Sequence, residues 1–355
     1  MKLNPERVEL VRRRLGLSKI EFAARIRVDR KTIQRFEAGD HDLSRQAVDN
    51  LLKLSGYPED FFYKGTPEYP NADGVSFRSL RSLTARPRDA ALAAAAIAFE
   101  LDDWVRERFD LPTHDLPQLD SRSPGDAAAA LRSHWGIGVR PISNMVNVLE
   151  SHGVRVFSLS EETRHLDAYS FWRNERPYVF LNTRKTAEHS RFDAAHELAH
   201  LVLHRHGGSK HRSAEDEAHA FASEFLMPSA DLVAHLPVVR SLGDLVKAKR
   251  RWGVSVAALN YALHRAGTIT DWKYRGFYVE LNRLGRDNEP APMDREASQV
   301  WAKVLRALWR DGVSLSHIAL ELAVPEREVS NLLFDIAAPL RLQLDGNRPD
   351  LRLVS

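Results

Sequence analysis

The chain has 355 residues, of which 43% are hydrophobic and 28% charged, with a formal net charge of +3. This length exceeds one ordinary hydrophobic core, so two or three domains are expected, and the modest net charge leaves room for a local basic surface. Cysteine is absent, which excludes a disulfide framework and thiolate metal sites and favours a cytoplasmic protein.

Residues 5–56 predict a compact bundle of four or five short helices. Ser18, with Glu21 three residues later, is typical of a helix start closed by a capping box. Asp29 can cap a further helix over residues 30–38. Two short helices joined by such a turn have the shape of a helix-turn-helix.

The helix over residues 30–38 holds the candidate DNA-contacting side chains. Those at or near its start can reach major-groove base edges and phosphates, and they are Arg30, Lys31, Thr32, Gln34 and Arg35. Three arginines at residues 12–14 add positive charge, although a solvated helix face explains them equally well. The competing use of such a module is to dock a partner protein.

The next part of the chain alternates between breakers and helices. Residues 57–74 contain three prolines and no helical period, so they predict a linker or an extended crossing segment. Residues 90–109 predict a strong helix, and further helices are expected over 126–135 and 142–151. The apolar run within the first of these helices is about half of the roughly 20 residues that a membrane span needs. No membrane association is therefore expected, and the charged start of the chain does not resemble a secretory signal.

Three short segments predict a small β-sheet. Residues 154–159, 168–172 and 178–181 are rich in β-forming residues, and the last two flank the turn RNERP. The segment DAYSFW could be the edge on which an extended substrate adds a strand.

The sequence DAAHELAH places His196 and His200 four residues apart, with Glu197 directly after the first histidine. On a helix this spacing puts both imidazoles on one face, where they can bind the same ion. Zinc in hydrolases takes two such nitrogens, a third ligand and an open position for water, and the adjacent glutamate acts as the base. The pattern therefore predicts a zinc-dependent hydrolase.

The third ligand is expected from the segment AEDEAHAFASEFLMP. At about 100° per residue, Glu215 falls inside the apolar arc of this predicted helix, whereas Glu217 falls outside it. An acid on an apolar face needs a cationic partner. Glu215 is therefore the expected ligand and Glu217 the alternative, and His219, one turn later, is expected to orient the ligand.

Other histidines follow the motif at positions 204, 206 and 211. They are interpreted as a solvated connection and not as a second metal site.

The sequence after residue 255 predicts further helices. The block over residues 296–338 contains SLSHIALELAVPEREVSNLL, which repeats the helix-turn-helix layout with Ser314 and Pro325 at helix-start positions. A trihelical packing module is the preferred interpretation of this block.

HELAH, the downstream AEDEAHAFASEFLMP and the strand segments DAYSFW and RPYVFLN resemble the ImmA/IrrE metallopeptidases. The N-terminal module resembles the XRE type of helix-turn-helix that is fused to the longer members, and the similarity covers roughly residues 1–265. The resemblance implies a gluzincin-like zinc endopeptidase that cleaves a transcriptional repressor after stress or in mobile-element control. It places the catalytic glutamate on Glu197 and the zinc ligands on His196, His200 and Glu215. His219 departs from the Asn or Asp that is common in relatives.

The sequence thus predicts a mostly helical α+β protein of three domains. These are a helix-turn-helix DNA-binding domain at residues 1–65, a zinc metallopeptidase domain with a small sheet at 66–270, and a mostly helical C-terminal module at 271–355. Zn²⁺ is the expected cofactor, and a repressor protein and DNA are the expected partners. A homodimer would suit a DNA site of two half-sites.

Two alternative functions stay open. One is a DNA-binding transcriptional regulator whose zinc domain is a sensor or scaffold with little proteolysis. The other is a component of a toxin–antitoxin system.

Overall fold

The computed structural model describes residues 2–70, 84–159, 167–205, 211–285 and 288–337. These ranges form 16 α-helices and one three-stranded sheet, which confirms the predicted mostly helical α+β class. None of the helices in these ranges combines the length and the apolar character that crossing a bilayer requires.

The elements of the N-terminal half follow one another along the chain as α1 (Pro5–Arg14), α2 (Lys19–Arg25), α3 (Arg30–Glu37), α4 (Arg45–Ser55), a 3-10 helix (Glu59–Tyr63), α5 (Ala85–Arg106), α6 (Pro124–His134), α7 (Met145–Ser151), β1 (Arg155–Leu159), β2 (Ala168–Arg173) and β3 (Arg176–Asn182). The elements of the C-terminal half are α8 (Ala187–Leu203), α9 (His211–Leu226), α10 (Ser229–His235), α11 (Leu242–Ala248), a second 3-10 helix (Lys249–Arg251), α12 (Val256–Arg265), α13 (Asp271–Leu284), α14 (Gln299–Arg310), α15 (Leu315–Leu322) and α16 (Glu326–Leu332).

The predicted start signals of α2 and α3 are confirmed. The Glu21 amide donates to Ser18 Oγ at 3.2 Å, and the Ser18 amide donates to the Glu21 carboxylate at 2.9 Å, so the capping box is complete. The Thr32 amide donates to Asp29 Oδ1 at 2.7 Å. Each cap satisfies amides that would otherwise lack a partner in the first helical turn.

The sheet has the strand order β1-β3-β2 and is mixed. β3 runs parallel to β1 and antiparallel to β2, with Val179 paired to Val156 on one side and to Ser170 on the other. β2 is therefore an edge strand, and the three predicted strands are all present.

The two faces of the sheet pack into two different cores. One face packs with the N-terminal helices, α5 and the C-terminal helices, and we call this the aromatic-face core because the sheet contributes Phe157, Tyr169, Phe171, Tyr178 and Phe180. The other face packs with helices α6 to α13, and we call this the aliphatic-face core because the sheet contributes Val156, Ala168, Val179 and Leu181. The aromatic-face core takes residues from all three predicted domains, whose boundaries at 65 and 270 stay predictions.

The interpretation of residues 57–74 as a linker is wrong for its first part. Tyr57, Phe61 and Phe62 are each at most 2% exposed, and a 3-10 helix forms around the two phenylalanines. The Phe62 carbonyl accepts a hydrogen bond from the Asn4 amide at 2.7 Å. Burial of large aromatic side chains gains much free energy. This gain holds the segment against the bundle although its sequence contains prolines and no helical period. Residues 71–83 lie outside the described ranges.

The arginines at residues 12–14 do not form a solvated face. Arg12 and Arg14 are 8% and 5% exposed. Arg12 pairs with Glu9 at 3.0 Å, and Arg14 pairs with Glu328 of α16 at 2.9 Å. The second pair joins the N-terminal bundle to the C-terminal helices.

Helices α14 to α16 all contribute buried residues to the aromatic-face core, and α15 packs against α16. The trihelical packing module stays a prediction. The Trp301 indole donates to the Val156 carbonyl at 2.7 Å, which ties α14 to β1. The Trp104 indole of α5 donates to Glu321 at 2.7 Å. Within α16, Glu328, Val329 and Leu332 are buried.

Candidate metal centre and DNA-contacting surface

Helix α8 places the motif residues over the sheet. The Thr186 side chain caps it by accepting the His189 amide at 3.2 Å. One face of the helix is fully apolar and packs in the aliphatic-face core through Ala194, Ala195, Leu198, Leu201 and Val202. This packing fixes the rotation of the helix, so that His196 and His200 face α9.

His196, His200 and Glu215 come together as the sequence predicts. The two Nε2 atoms lie 3.2 Å apart. Glu215 of α9 places Oε2 at 3.3 Å from His196 Nε2 and Oε1 at 3.6 Å from His200 Nε2. One ligand atom from each residue lies within 4.8 Å of the other two, and no second group of three His, Asp or Glu residues meets this condition in the described ranges. Two imidazoles and one carboxylate form a donor set that fits catalytic zinc.

The electrostatics of the cluster favour a positive charge. Burial by itself would lower the pKa of His196, but the hydrogen bond with Glu215 and the charge of Glu197 outweigh burial and raise this pKa. One turn earlier on α8, burial raises the pKa of Asp193 to about 8, and the nearby Asp167 adds to the shift. Glu215 and Glu197 therefore favour a cation beside His196, whereas burial favours the neutral form of Asp193 near pH 7.

Glu197 is anchored to the edge strand. It is 2% exposed, and Ser170 of β2 donates its hydroxyl to Glu197 Oε2 at 2.6 Å. Sequence reasoning did not single out Ser170, because its alternation with aromatic residues along β2 indicates only which face it occupies. The pairing fixes one oxygen of the predicted catalytic carboxylate.

The interpretation of His204 as part of a solvated connection is wrong. His204 is 8% exposed. Its Nδ1 lies 3.1 Å from His200 Nδ1, and its Nε2 lies 2.9 Å from Glu217 Oε2. The i, i+4 spacing of the three histidines could have predicted this position. A helix that extends to Leu203 places His204 on the same face as His196 and His200. His206 and the side chain of His211 lie outside the described residues.

Glu217 and His219 lie beside the cluster. Glu217 contacts His204, as given above, whereas the His219 ring packs 4.9 Å from Phe192 and 5.1 Å from Tyr261. Partial burial, followed by the positive charge of His196, lowers the pKa of His219. The choice of Glu215 over Glu217 as third ligand and the orienting role of His219 both stay predictions.

Helix α3 presents its polar face to solvent. Arg30, Lys31, Gln34 and Arg35 are exposed, whereas Ile33 and Phe36 are 1% exposed and hold the helix in the bundle. Thr32 is half-buried, and its hydroxyl donates to Asp29 Oδ2 at 3.1 Å, so it also takes part in the cap. The exposed set forms a basic surface, and its contacts with DNA stay a prediction.

Comparison with known families identifies two regions of the chain. Residues 149–264 match the peptidase M78 family, the IrrE N-terminal-like domain. Residues 8–62 match a helix-turn-helix family. The chain thus contains an IrrE N-terminal-like domain and an XRE-type helix-turn-helix domain, which confirms both predicted resemblances. A search against curated proteins gave no match.

Proposed function

We propose that this protein is a zinc-dependent endopeptidase of transcriptional regulation, which cleaves a repressor protein and binds DNA through its own helix-turn-helix domain. One observation supports the enzymatic part above all others. The His196–His200–Glu215 cluster lies beside the anchored Glu197 inside the metallopeptidase-like region.

The residues of the site suit peptide hydrolysis. Zinc held by the two histidines and Glu215 would supply a Lewis acid that activates water and polarises the peptide carbonyl near neutral pH. Glu197 takes the proton of the attacking water on its carboxylate and later delivers it to the nitrogen of the leaving amine. Ser170 holds Glu197 Oε2 during both transfers, because its hydroxyl comes from a strand and not from a mobile loop. The small exposure of Glu197 keeps bulk water from competing for the proton.

The edge strand β2 supports a polypeptide substrate. β2 pairs only with β3 among the described strands, so its other edge can receive an extended segment through main-chain hydrogen bonds. Ser170 lies on this strand and contacts Glu197. A substrate strand bound there would bring its peptide bonds close to the predicted base.

The DNA-binding part of the proposal follows from the helix-turn-helix domain and the exposed basic surface of α3. A site upstream of the protein's own gene is the expected target. A homodimer would place two α3 helices in half-sites about one helical turn apart.

Glu197→Gln tests the catalytic assignment. The variant should keep zinc and DNA binding and lose cleavage, because an amide cannot accept the proton. Glu280→Gln is the matched control, since Glu280 is exposed on α13. Pulldown with the Glu197→Gln variant, followed by incubation of the captured proteins with active enzyme, should identify the substrate.

The same variant separates the alternatives. If a regulatory phenotype survives Glu197→Gln but disappears when Arg30, Lys31 and Arg35 are neutralised, the protein is a DNA-binding regulator with a zinc scaffold. A toxin–antitoxin role would instead appear as growth arrest that a neighbouring gene suppresses.

Metal analysis tests the ligands. The purified chain should contain about one zinc, and His196→Ala combined with His200→Ala should remove it. Glu215→Gln should weaken zinc retention by about 10-fold or more, while Glu217→Gln should leave zinc retention nearly unchanged. The reverse ranking of the two glutamates would make Glu217 the ligand.

A further inference from the structure

We propose that His204 and Glu217 are positioning residues that fix the ring of His200 through a hydrogen-bond chain and thereby set the affinity of the metal site. The inference rests on the proposed function, because it assumes that His200 binds the metal. The chain consists of the 3.1 Å contact between His200 Nδ1 and His204 Nδ1 and the 2.9 Å contact between His204 Nε2 and Glu217 Oε2.

One arrangement of protons satisfies every contact. His200 directs Nε2 at His196 and Glu215, so a metal bound there requires this nitrogen to be unprotonated. The proton of His200 then lies on Nδ1 and is donated to His204 Nδ1. His204 must therefore hold its own proton on Nε2, which it donates to the Glu217 carboxylate. The chain selects the metal-binding tautomer of His200.

Burial gives these hydrogen bonds their strength. The side chains of His200 and His204 are 5% and 8% exposed, whereas that of Glu217 is 39% exposed. Water therefore does not compete for the bond between the two imidazoles. The acceptor oxygen of Glu217 therefore holds the His204 ring, and the His204 ring holds that of His200 in the orientation that binds the metal.

The placement of the residues on α8 and α9 supports a functional role. His196, His200 and His204 repeat at four-residue intervals along α8, and α9 supplies an acid to each end of this row, Glu215 at the first two histidines and Glu217 at the third. His204 is also the C-cap of α8, and its amide donates to the His200 carbonyl at 3.1 Å. The backbone contact would survive replacement of the side chain, so a purely structural role and a positioning role can be separated.

The test is the zinc affinity of the full chain, measured by competition with a chelator. His204→Ala and Glu217→Ala should each weaken zinc binding by about 10- to 100-fold. Since either change breaks the same chain, the double variant should bind zinc no more weakly than His204→Ala alone. Glu217→Gln should stay close to the wild type, because the amide oxygen still accepts the His204 proton. His264→Ala is the control, since His264 pairs with Asp271 on other helices and its loss should leave the affinity unchanged.

A second readout covers the case in which His204→Ala fails to fold. His204→Gln can accept from His200 through its oxygen and donate to Glu217 through its nitrogen, so it should recover much of the affinity. The visible absorption of the Co²⁺-loaded chain should change in Glu217→Ala and return in Glu217→Gln, because the spectrum reports ligand orientation.

The outcomes separate the two claims. Wild-type zinc affinity in Glu217→Ala, or in His204→Ala where it folds, or additive losses in the double variant, would overturn the positioning chain and leave the proposed function standing. A wild-type chain that binds no zinc, or binds it equally well without His196 and His200, would instead overturn the proposed function.

Discussion

The α2–α3 pair and the α15–α16 pair begin alike and end differently. Each starts with a serine N-cap, since Ser18 accepts the Glu21 amide at 3.2 Å and Ser314 accepts the His317 amide at 3.3 Å. Each has a left-handed residue before its second helix, Arg27 at φ 60° and Ala323 at φ 53°. Yet the second helix of one pair exposes a basic face, while that of the other buries Glu328, Val329 and Leu332 against the protein.

The surroundings of the second helix explain this difference. α3 packs against α1 and α2 of its own bundle, which leaves its polar face free. α16 packs against β1 and α5, and its Glu328 is buried beside Arg14. Local sequence cues therefore produce two similar helix pairs, but of the two second helices only α3 keeps an exposed basic face.

The largest expected effect lies in the buried ion pair. Glu328→Ala would remove the carboxylate that the buried Arg14 guanidinium pairs with, so the free energy of unfolding should fall by about 3–5 kcal/mol. Chemical denaturation measures this change. Arg327→Ala, at the exposed neighbouring position, should change stability by about 0.5 kcal/mol or less. Equal effects of the two variants would mean that α16 is held by its apolar residues alone.

A smaller effect is expected on DNA sequence preference. Gln34→Ala removes a side chain that can read a base edge, so discrimination between the operator and random duplex should fall by about 1–3 kcal/mol. The readout is the ratio of the two dissociation constants. Ser330 occupies the equivalent fifth position of α16, and Ser330→Ala should leave the ratio unchanged. A change in that ratio would show that both helix pairs contact DNA.

Phosphate contacts should give a further, less specific effect. Replacement of Arg30 or Lys31 by Ala should weaken binding to all sequences and reduce the slope of log affinity against log salt by about one unit. Arg327, the second residue of α16 as Lys31 is of α3, is the matched control. Binding that is absent or insensitive to salt in the wild type would leave the N-terminal module as a protein-docking domain.

The helix caps should behave alike in the two pairs. Ser18→Ala and Ser314→Ala each remove one bond to a first-turn amide, so each should cost about 1 kcal/mol of unfolding free energy. Thermal or chemical unfolding of both variants measures the losses. A large loss for only one serine would show that the surrounding packing, and not the local cap, starts that helix.

The smallest expected effect is a pH dependence of stability, which concerns the α2–α3 pair. The hydrogen bond from Ser18 lowers the pKa of Glu21 below its usual value of 4.5, and Arg86 adds to the shift. Because the folded-state pKa is depressed, the contribution to stability is present above pH 4.5 and is lost as the pH falls through the folded pKa. The stability difference between the wild type and Glu21→Gln should therefore vanish in acid. A difference that persists at low pH would exclude the charge of Glu21 as its cause.

The sequence determined those features that depend on spacing within one element. Helical geometry places His196 and His200 on one face whatever the rest of the chain does. The same geometry placed Ala218, Phe221, Ala222, Phe225 and Leu226 on one arc of α9, and all five are fully buried. Cap residues and β-rich segments are equally local, so α2, α3 and the three strands could be predicted.

Only the tertiary structure decided the contacts between distant parts of the chain. Ser170 meets Glu197 across 27 positions, and Arg14 meets Glu328 across 314. His204 at the end of α8 meets Glu217 of α9 across 13 positions. No periodicity within one element predicts such pairs, because they depend on which hydrophobic faces of separate elements pack against each other. For the same reason the sequence could indicate two helix-turn-helix shapes, while the packing of α16 against β1 and α5 determined that, of the two second helices, only α3 keeps an exposed basic face.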